Sequence, residues 1–158
     1  MKVISRDQHA ISNKDISDNA LNIISGLSSR GHEAYLVGGA VRDLLLDRIP
    51  KDFDVATSAT PEEIRKIFQR ARIIGRRFRI THIRCGKELI EVTTFRGNQQ
   101  KDCPSKEIVH EDFRESSRGL LLRDNVFGTM QEDATRRDIT INALYYDPES
   151  FSIIDHTG

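Results

Sequence analysis

The sequence predicts an α/β (α+β) fold in which a mixed β-sheet of about five strands packs against helices. A short apolar run at residues 34–37 is separated by two glycines from a helical pattern. Two alternating segments, residues 78–85 and 88–95, flank a two-residue loop typical of a β-hairpin. The Thr-Pro-Glu-Glu sequence at residues 60–63 forms a capping box with proline in the first helical position, which predicts the start of another helix.

The N-terminal residues 1–16 are polar and show no apolar period, so we expect a polar arm. A helix is predicted from Ser17, ending before Gly31, because one face carries an apolar stripe at helical spacing. The residues of this stripe are Ala20, Leu21, Ile24 and Leu27.

The remaining elements follow in order. The helix from residue 60 is followed by a short strand at residues 73–74 and then by the hairpin. Residues 97–119 are polar and charged, which predicts a long loop. A second capping box at residues 129–132 begins a helix that carries Arg136, Arg137 and Asp138. An apolar segment, a turn at residues 147–150 and a last strand complete the chain.

Length, charge and cysteine content limit the class of protein. A chain of 158 residues is one domain by length, and it has no 18-residue apolar run that would predict a membrane span. The net charge is zero, but residues 65–84 contain eight basic residues and no acid. Such a segment either binds a polyanion or forms a charged surface exposed to solvent. Cys85 and Cys103 are taken as free structural thiols, typical of a reducing cytoplasm.

The stretch around Gly38 and Gly39 predicts a phosphate-binding turn. The glycines follow the first predicted strand and precede the helix of residues 40–46. Glycine has no Cβ, so the backbone can approach a ligand closely. The N–H groups at a helix start favour an anion.

A group of acidic residues follows. Alternation along a strand places Asp52 and Asp54 on one face, with Phe53 and Val55 in the core. If Ile90 and Val92 also face the core, Glu91 lies on the side of the two aspartates, although a surface glutamate is the simpler interpretation of Glu91 alone. Paired carboxylates repel each other unless one is protonated or a cation lies between them. A Mg²⁺ ion bound by carboxylates and substrate phosphate meets that requirement.

These residues together favour phosphoryl transfer. Arg42, Arg136 and Arg137 offer bidentate contacts to phosphate oxygens. Two divalent ions can hold the attacking and leaving oxygens of such a reaction in line. The dinucleotide, P-loop and calcium-loop motifs do not match this sequence.

Four segments resemble the head domain of class II nucleotidyltransferases, the family of bacterial tRNA CCA-adding enzymes and bacterial poly(A) polymerases. They are L-V-G-G-A-V-R-D (36–43), K-D-F-D (51–54), E-V-T-T-F-R (91–96) and R-R-D-I-T-I-N-A-L (136–144). I-I-G-R-R-F-R-I-T-H-I (73–83) and L-L-R-D-N-V-F-G-T (121–129) are similar to the poly(A) polymerase branch. The resemblance implies a DNA-polymerase-beta-like head at residues 17–158, truncated before neck, body and tail regions.

The resemblance also implies an activity, namely addition of AMP from ATP to the 3′ ends of single-stranded RNA in the cytoplasm, without a template. Two Mg²⁺ ions, or Mn²⁺, would be bound by three carboxylates. The implied catalytic and metal residues are Asp52, Asp54 and Glu91, with Asp138 as a further catalytic residue. The implied nucleotide-binding residues are Gly38, Gly39, Arg42, Arg136 and Arg137. Arg76, Arg77 and Arg79 are candidates for the RNA path, and pairing with acids is an equal alternative for them.

Two alternative functions remain at this point. The first is a CCA-adding enzyme, which shares the chemistry but adds a different nucleotide series. The second is a non-catalytic nucleotide-binding or RNA-binding module on the same fold. The presence of Asp52, Asp54 and Glu91 together argues against the second, because a binding module does not need three mutually repelling acids.

Overall fold

The computed structural model describes residues 1–76, 78–97, 127–137 and 139–158. Its strands form one sheet in the order β1-β8-β7-β2-β3-β6-β5-β4. The strands are β1 (Lys2–Ile4), β2 (Ala34–Val37), β3 (Asp54–Thr57), β4 (Ala71–Ile74), β5 (Ile80–Cys85), β6 (Glu88–Thr94), β7 (Leu144–Asp147) and β8 (Ser152–Asp155). The helices are α1 (Asp18–Ser28), α2 (Gly39–Leu45), α3 (Pro61–Ile67) and α4 (Met130–Thr135).

The predicted mixed sheet is confirmed, but the predicted number of about five strands is wrong, because the described residues contain eight. Most of the eight strands have only three or four residues, too few to show a clear alternation. The pairing of β3 with β6 is parallel, and the other pairings are antiparallel. This parallel pair lies in the interior of the sheet.

The starts of α1, α3 and α4 agree with the sequence prediction. The Ser17 side chain accepts a hydrogen bond from the backbone N–H of Ala20 at the start of α1. Thr60 and Thr129 form complete capping boxes at the starts of α3 and α4. The short helices depend on these caps, since an isolated helix of one or two turns is unstable in water.

The N-terminal segment is not the polar arm that the sequence predicts. β1 pairs with β8 at the edge of the sheet. Ile11 and Ile16 are buried in the core, and the Asn13 side chain accepts a hydrogen bond from the hydroxyl of Tyr146 at 2.8 Å. Residues 1–16 therefore belong to the folded unit. Their apolar side chains are too widely spaced to give a periodic signal.

The two faces of the sheet are covered differently. α1 and α3 pack on one face, where Ile24, Ile64, Ile90 and Val92 are fully or almost fully buried. The opposite face carries a smaller cluster that includes Phe95 and other buried residues of β2, β3, α4 and β7. Between this cluster and β4, the opposite face carries polar side chains, because successive residues of a strand point to alternate faces.

Residues 98–126, which include most of the predicted loop at 97–119, lie outside the described residues. In the described parts of the chain, no helix combines the length and apolar composition needed to cross a bilayer. Cys85 is a free cysteine, as predicted, and Cys103 lies outside the described residues.

Candidate functional site

A row of polar side chains crosses the open face of the sheet. Asp54 of β3 lies opposite Glu91 of β6, and Glu91 lies opposite His82 of β5. Residues in register share a face, so all three side chains project to the same side. The imidazole Nε2 of His82 lies 3.7 Å from the Glu91 carboxylate. The sequence prediction that Glu91 faces away from buried Ile90 and Val92 is therefore confirmed.

The Asp54 carboxyl is partly buried and lies near two other acids. Its pKa is raised to about 6, first because of burial and then because of repulsion from Glu91 and Asp52. Arg137 and His82 act in the opposite direction but do not cancel the repulsion. A carboxylate in such a place favours a bound cation, which would offset the repulsion.

Asp52 lies just outside the sheet. The sequence predicts a strand from Asp52, but β3 begins at Asp54. The reason is that β2 ends at Val37, opposite Asp54, so the two preceding residues have no partner strand there. Phe53 and Val55 are buried, as predicted, and the charge of Asp52 still reaches the Asp54 carboxyl.

Gly38 links the glycine turn to the acids. It has φ 74° and ψ −146°, a conformation that is essentially restricted to glycine. A Cβ at this position would lie 3.6 Å from Oδ2 of Asp54. The backbone of the turn therefore passes directly beside the carboxylate. α2 begins at the next residue and has only seven residues, so the close approach of Gly38 is the more informative feature.

The acids are the candidate ligands of a metal ion. Among the described residues, no three His, Cys, Asp or Glu side chains form a group that could hold a metal ion. The predicted set of Asp52, Asp54 and Glu91 is not such a group, although Glu91 and Asp52 both act on the Asp54 carboxyl by repulsion, and the Glu91 carboxylate also lies near His82. The two aspartates still fit Mg²⁺, which takes one or two protein carboxylates together with substrate phosphates.

Arg42 connects two of the segments singled out in the sequence. Its guanidinium donates to Oδ1 of Asn142 at 3.3 Å and to Oδ1 of Asp43 at 3.2 Å. It also lies over Gly39, where a Cβ would be 3.2 Å from Nη2. The side chain of Arg42 is partly exposed, so it can contact a ligand without leaving these partners.

Asp133 was not predicted as part of the site, yet it positions Arg137. It is buried and accepts hydrogen bonds from Arg137 at 3.1 Å, from the Tyr145 hydroxyl at 2.6 Å and from the backbone N–H of Arg96 at 3.1 Å. The Arg137 guanidinium also lies 5.7 Å from the Tyr145 ring centre. The i, i+4 spacing of Asp133 and Arg137 was the available sequence signal.

A cavity of about 240 Å³ adjoins this network. It is lined by Thr93, Arg96, Asp133, Arg136 and Arg137. Arg136 and Arg137, which the sequence predicts as phosphate contacts, therefore share one cavity. Arg137 is also near enough to Asp54 to affect its pKa.

The other predicted residues lie elsewhere. Arg79, a candidate for the RNA path, forms an ion pair with Glu62 of α3 at 2.6 Å. Arg76 is exposed after β4. Arg77 and Asp138 lie outside the described residues.

Comparisons with known proteins show which proteins this chain is similar to. The family model of the poly(A) polymerase head domain matches residues 34–158. Poly(A) polymerase I of Salmonella typhi is 52% identical over 158 residues, which is 100% of this chain and 33% of that protein. The CCA-adding enzyme of Listeria innocua is 41% identical over 141 residues, covering 89% of this chain and 32% of that protein.

The crystal structure of the Bacillus stearothermophilus CCA-adding enzyme in complex with CTP has a similar fold. Its TM-score is 0.65 at 34% identity, with 86% of this chain and 28% of that chain covered. The chain thus spans about a third of the length of the curated relatives it matches.

Proposed function

The chain belongs to the poly(A) polymerase head-domain family, and we propose that it is the catalytic head of an RNA nucleotidyltransferase that works without a template. The proposed reaction adds AMP from ATP to the 3′ end of single-stranded RNA. The observation that supports it most is the position of Asp54, in register with Glu91 and beside the backbone of Gly38.

Each residue has a proposed role. Asp52 and Asp54 would bind divalent metal, with Mg²⁺ as the ion, and Glu91 would place or deprotonate the RNA 3′-hydroxyl. A metal ion bound there would offset negative charge on the acids and on the reacting phosphate. Burial and then repulsion from Glu91 and Asp52 raise the pKa of Asp54, and this repulsion supports the assignment.

The triphosphate would lie between the glycine turn and the arginines. Gly38 and Gly39 allow close approach of the backbone, and Arg42 is held beside them by Asn142. Arg136 and Arg137 line a cavity that can accept phosphate oxygens. Guanidinium groups suit this role because they bind phosphate through two parallel hydrogen bonds.

The test is incorporation of labelled AMP into an oligoribonucleotide by a version of the chain extended to the length of its relatives. Asp54→Asn keeps the side-chain shape and removes the charge. We expect it to lower the rate by about a hundredfold or more, the scale of losing one electrostatic contact to a transition state.

Asp47→Asn is the matched control. Asp47 is exposed, and asparagine tolerates its positive φ of 56°. The control should retain the rate of the parent protein. Retained activity in Asp54→Asn would contradict the proposal.

CCA addition is the second candidate, because a CCA-adding enzyme with bound CTP shares the fold. The higher identity to poly(A) polymerase I, 52% against 41%, favours AMP addition. A generic RNA supplied with ATP and a tRNA lacking its 3′ end supplied with CTP and ATP distinguish the two. Ordered addition to the tRNA alone would favour the second candidate.

A further inference from the structure

We propose that the basic cavity on the β4–β5 side of the sheet binds the phosphodiester backbone of the RNA strand whose 3′ end lies at Asp54 and Glu91. The cavity has a volume of about 920 Å³. Its lining includes Arg65, Arg70, Arg72, Arg84 and His82. The inference rests on the proposed function and names the surface that holds its RNA substrate.

His82 connects the cavity to the acidic site, because it lines the cavity and its Nε2 lies 3.7 Å from the Glu91 carboxylate. Arg72 of β4 lies opposite His82 of β5, which lies opposite Glu91 of β6 and then Asp54 of β3. All four residues are in one row on the open face. Three strand spacings of roughly 4.8 Å place Arg72 about 14 Å from Asp54, a distance that a few nucleotides can span.

The charge of the cavity suits a polyanion. Of the residues that the structure describes, no acidic side chain lines it. Within the described residues, none of the four arginines forms a salt bridge, whereas Arg79 and Arg137 are paired with acids. Four exposed guanidinium groups without acidic partners repel one another, and a bound phosphate chain would offset that repulsion.

RNA and the triphosphate are assigned to two different cavities. The cavity with Arg136 and Arg137 is lined by Thr93 of β6, whereas the lining of the basic cavity comes mainly from β4, β5 and the segment before β4. The two cavities share no lining residue. An attacking RNA end and a leaving phosphate approach a phosphoryl centre from opposite sides, so the two ligands require separate surfaces.

The expected binding is electrostatic and independent of base sequence. Among the described residues, the lining contains exposed Ile74 and Leu89 but no Phe, Tyr or Trp, and the imidazole of His82 lies 3.7 Å from the Glu91 carboxylate. Binding of single-stranded nucleic acid by charge alone depends strongly on salt, with a slope of about 0.7 per phosphate contact in a plot of log K against log salt.

The experiment measures binding of a short fluorescent oligoadenylate to the chain by anisotropy over a series of salt concentrations. Arg72→Gln with Arg84→Gln should weaken binding several-fold and reduce the salt slope by about 1.4, as expected for two lost phosphate contacts. Arg65→Gln with Arg70→Gln is a second pair, outside the strands, that should act in the same direction.

Arg30→Gln with Arg48→Gln is the matched control, since both arginines are exposed and the loss of charge is equal. It should leave affinity and slope close to those of the parent chain. Equal effects of the control and the cavity pairs would overturn the inference. The cavity pairs are also introduced into a longer chain. If they change its stability but not its RNA binding, the inference is overturned, because a protein segment would then occupy the cavity.

The two proposals can fail separately. If Asp54→Asn abolishes AMP incorporation while the cavity pairs bind RNA normally, only the inference about the cavity is wrong. If the cavity pairs lose RNA binding but AMP incorporation does not depend on Asp54, the proposed function is wrong and the RNA-binding surface stands.

Discussion

Asp54 and Glu91 lie directly opposite each other on β3 and β6, the parallel pair in the interior of the sheet. Two acids in neighbouring register positions of a sheet are destabilising on their own. Here a third acid, Asp52, adds to the repulsion on Asp54. The arrangement is consistent with a site that is stabilised when a cation and a phosphate ligand bind.

Substitution of Gly38 tests the close approach of the turn. Gly38→Ala should destabilise the protein by about 1 kcal/mol or more, because alanine is strained at φ 74°. It should also weaken ATP binding, since the new methyl group would lie beside the Asp54 carboxylate. Thermal unfolding and titration calorimetry measure the two effects.

Gly31→Ala is the control for backbone strain. Gly31 has φ 83° and nothing within 4 Å of an added Cβ. We expect a loss of stability with unchanged ATP binding. If both variants weaken ATP binding equally, the turn at Gly38 has no specific role.

The hydroxyl of Tyr145 tests the network around Asp133. Tyr145→Phe removes the hydrogen bond at 2.6 Å and leaves the buried carboxylate with one donor fewer. We expect a destabilisation of about 1–3 kcal/mol, the cost of an unsatisfied buried group. ATP binding should weaken too, because Asp133 also holds Arg137.

Tyr146→Phe is the matched comparison. Tyr146 is equally buried and its hydroxyl donates to Asn13 at 2.8 Å, far from Arg137. This substitution should destabilise the protein by a similar amount without affecting ATP binding. A loss of ATP affinity in both variants would indicate a general effect of stability.

Arg42→Lys tests the bidentate contact to phosphate. Lysine keeps the charge but cannot donate to Asn142 and to a phosphate in the fixed geometry of a guanidinium. We expect weaker ATP binding and a nearly unchanged unfolding temperature. Arg48→Lys, at an exposed position, should change neither quantity, and an Arg42→Lys variant with normal ATP affinity would exclude the contact.

The length of the chain gives a further prediction. It spans about a third of the length of its curated relatives. We expect the isolated head to keep the metal and triphosphate sites but to incorporate little AMP into RNA. Rates should rise when the chain is extended to the relatives' length. Equal rates of incorporation by the two proteins would refute this expectation.

The sequence predicted the central elements because their signals are local. The capping boxes at Thr60 and Thr129 and the alternation that buries Ile90 and Val92 each depend on neighbouring residues. The strand β1 was missed because three residues at a sheet edge carry no period.

In the site as well, local features were predictable from the sequence and contacts between distant segments were not. The glycines and the acids were identified from their spacing, but the role of Asp133 depends on contacts with Tyr145 and with the backbone of Arg96, which only the fold brings together. The row from Arg72 to Asp54 depends on strand register across four strands, which no single segment of the sequence encodes.

The most direct test of the electrostatic account is the thermal unfolding of the parent chain and of Asp54→Asn, each with and without Mg²⁺ and ATP. Near neutral pH, the raised pKa of Asp54 means that its ionised form destabilises the fold. Asp54→Asn should therefore unfold at a higher temperature than the parent without ligands, and Mg²⁺ with ATP should stabilise it less than they stabilise the parent. An Asp54→Asn variant that is less stable alone, or that Mg²⁺ and ATP still stabilise as strongly as the parent, would contradict the account.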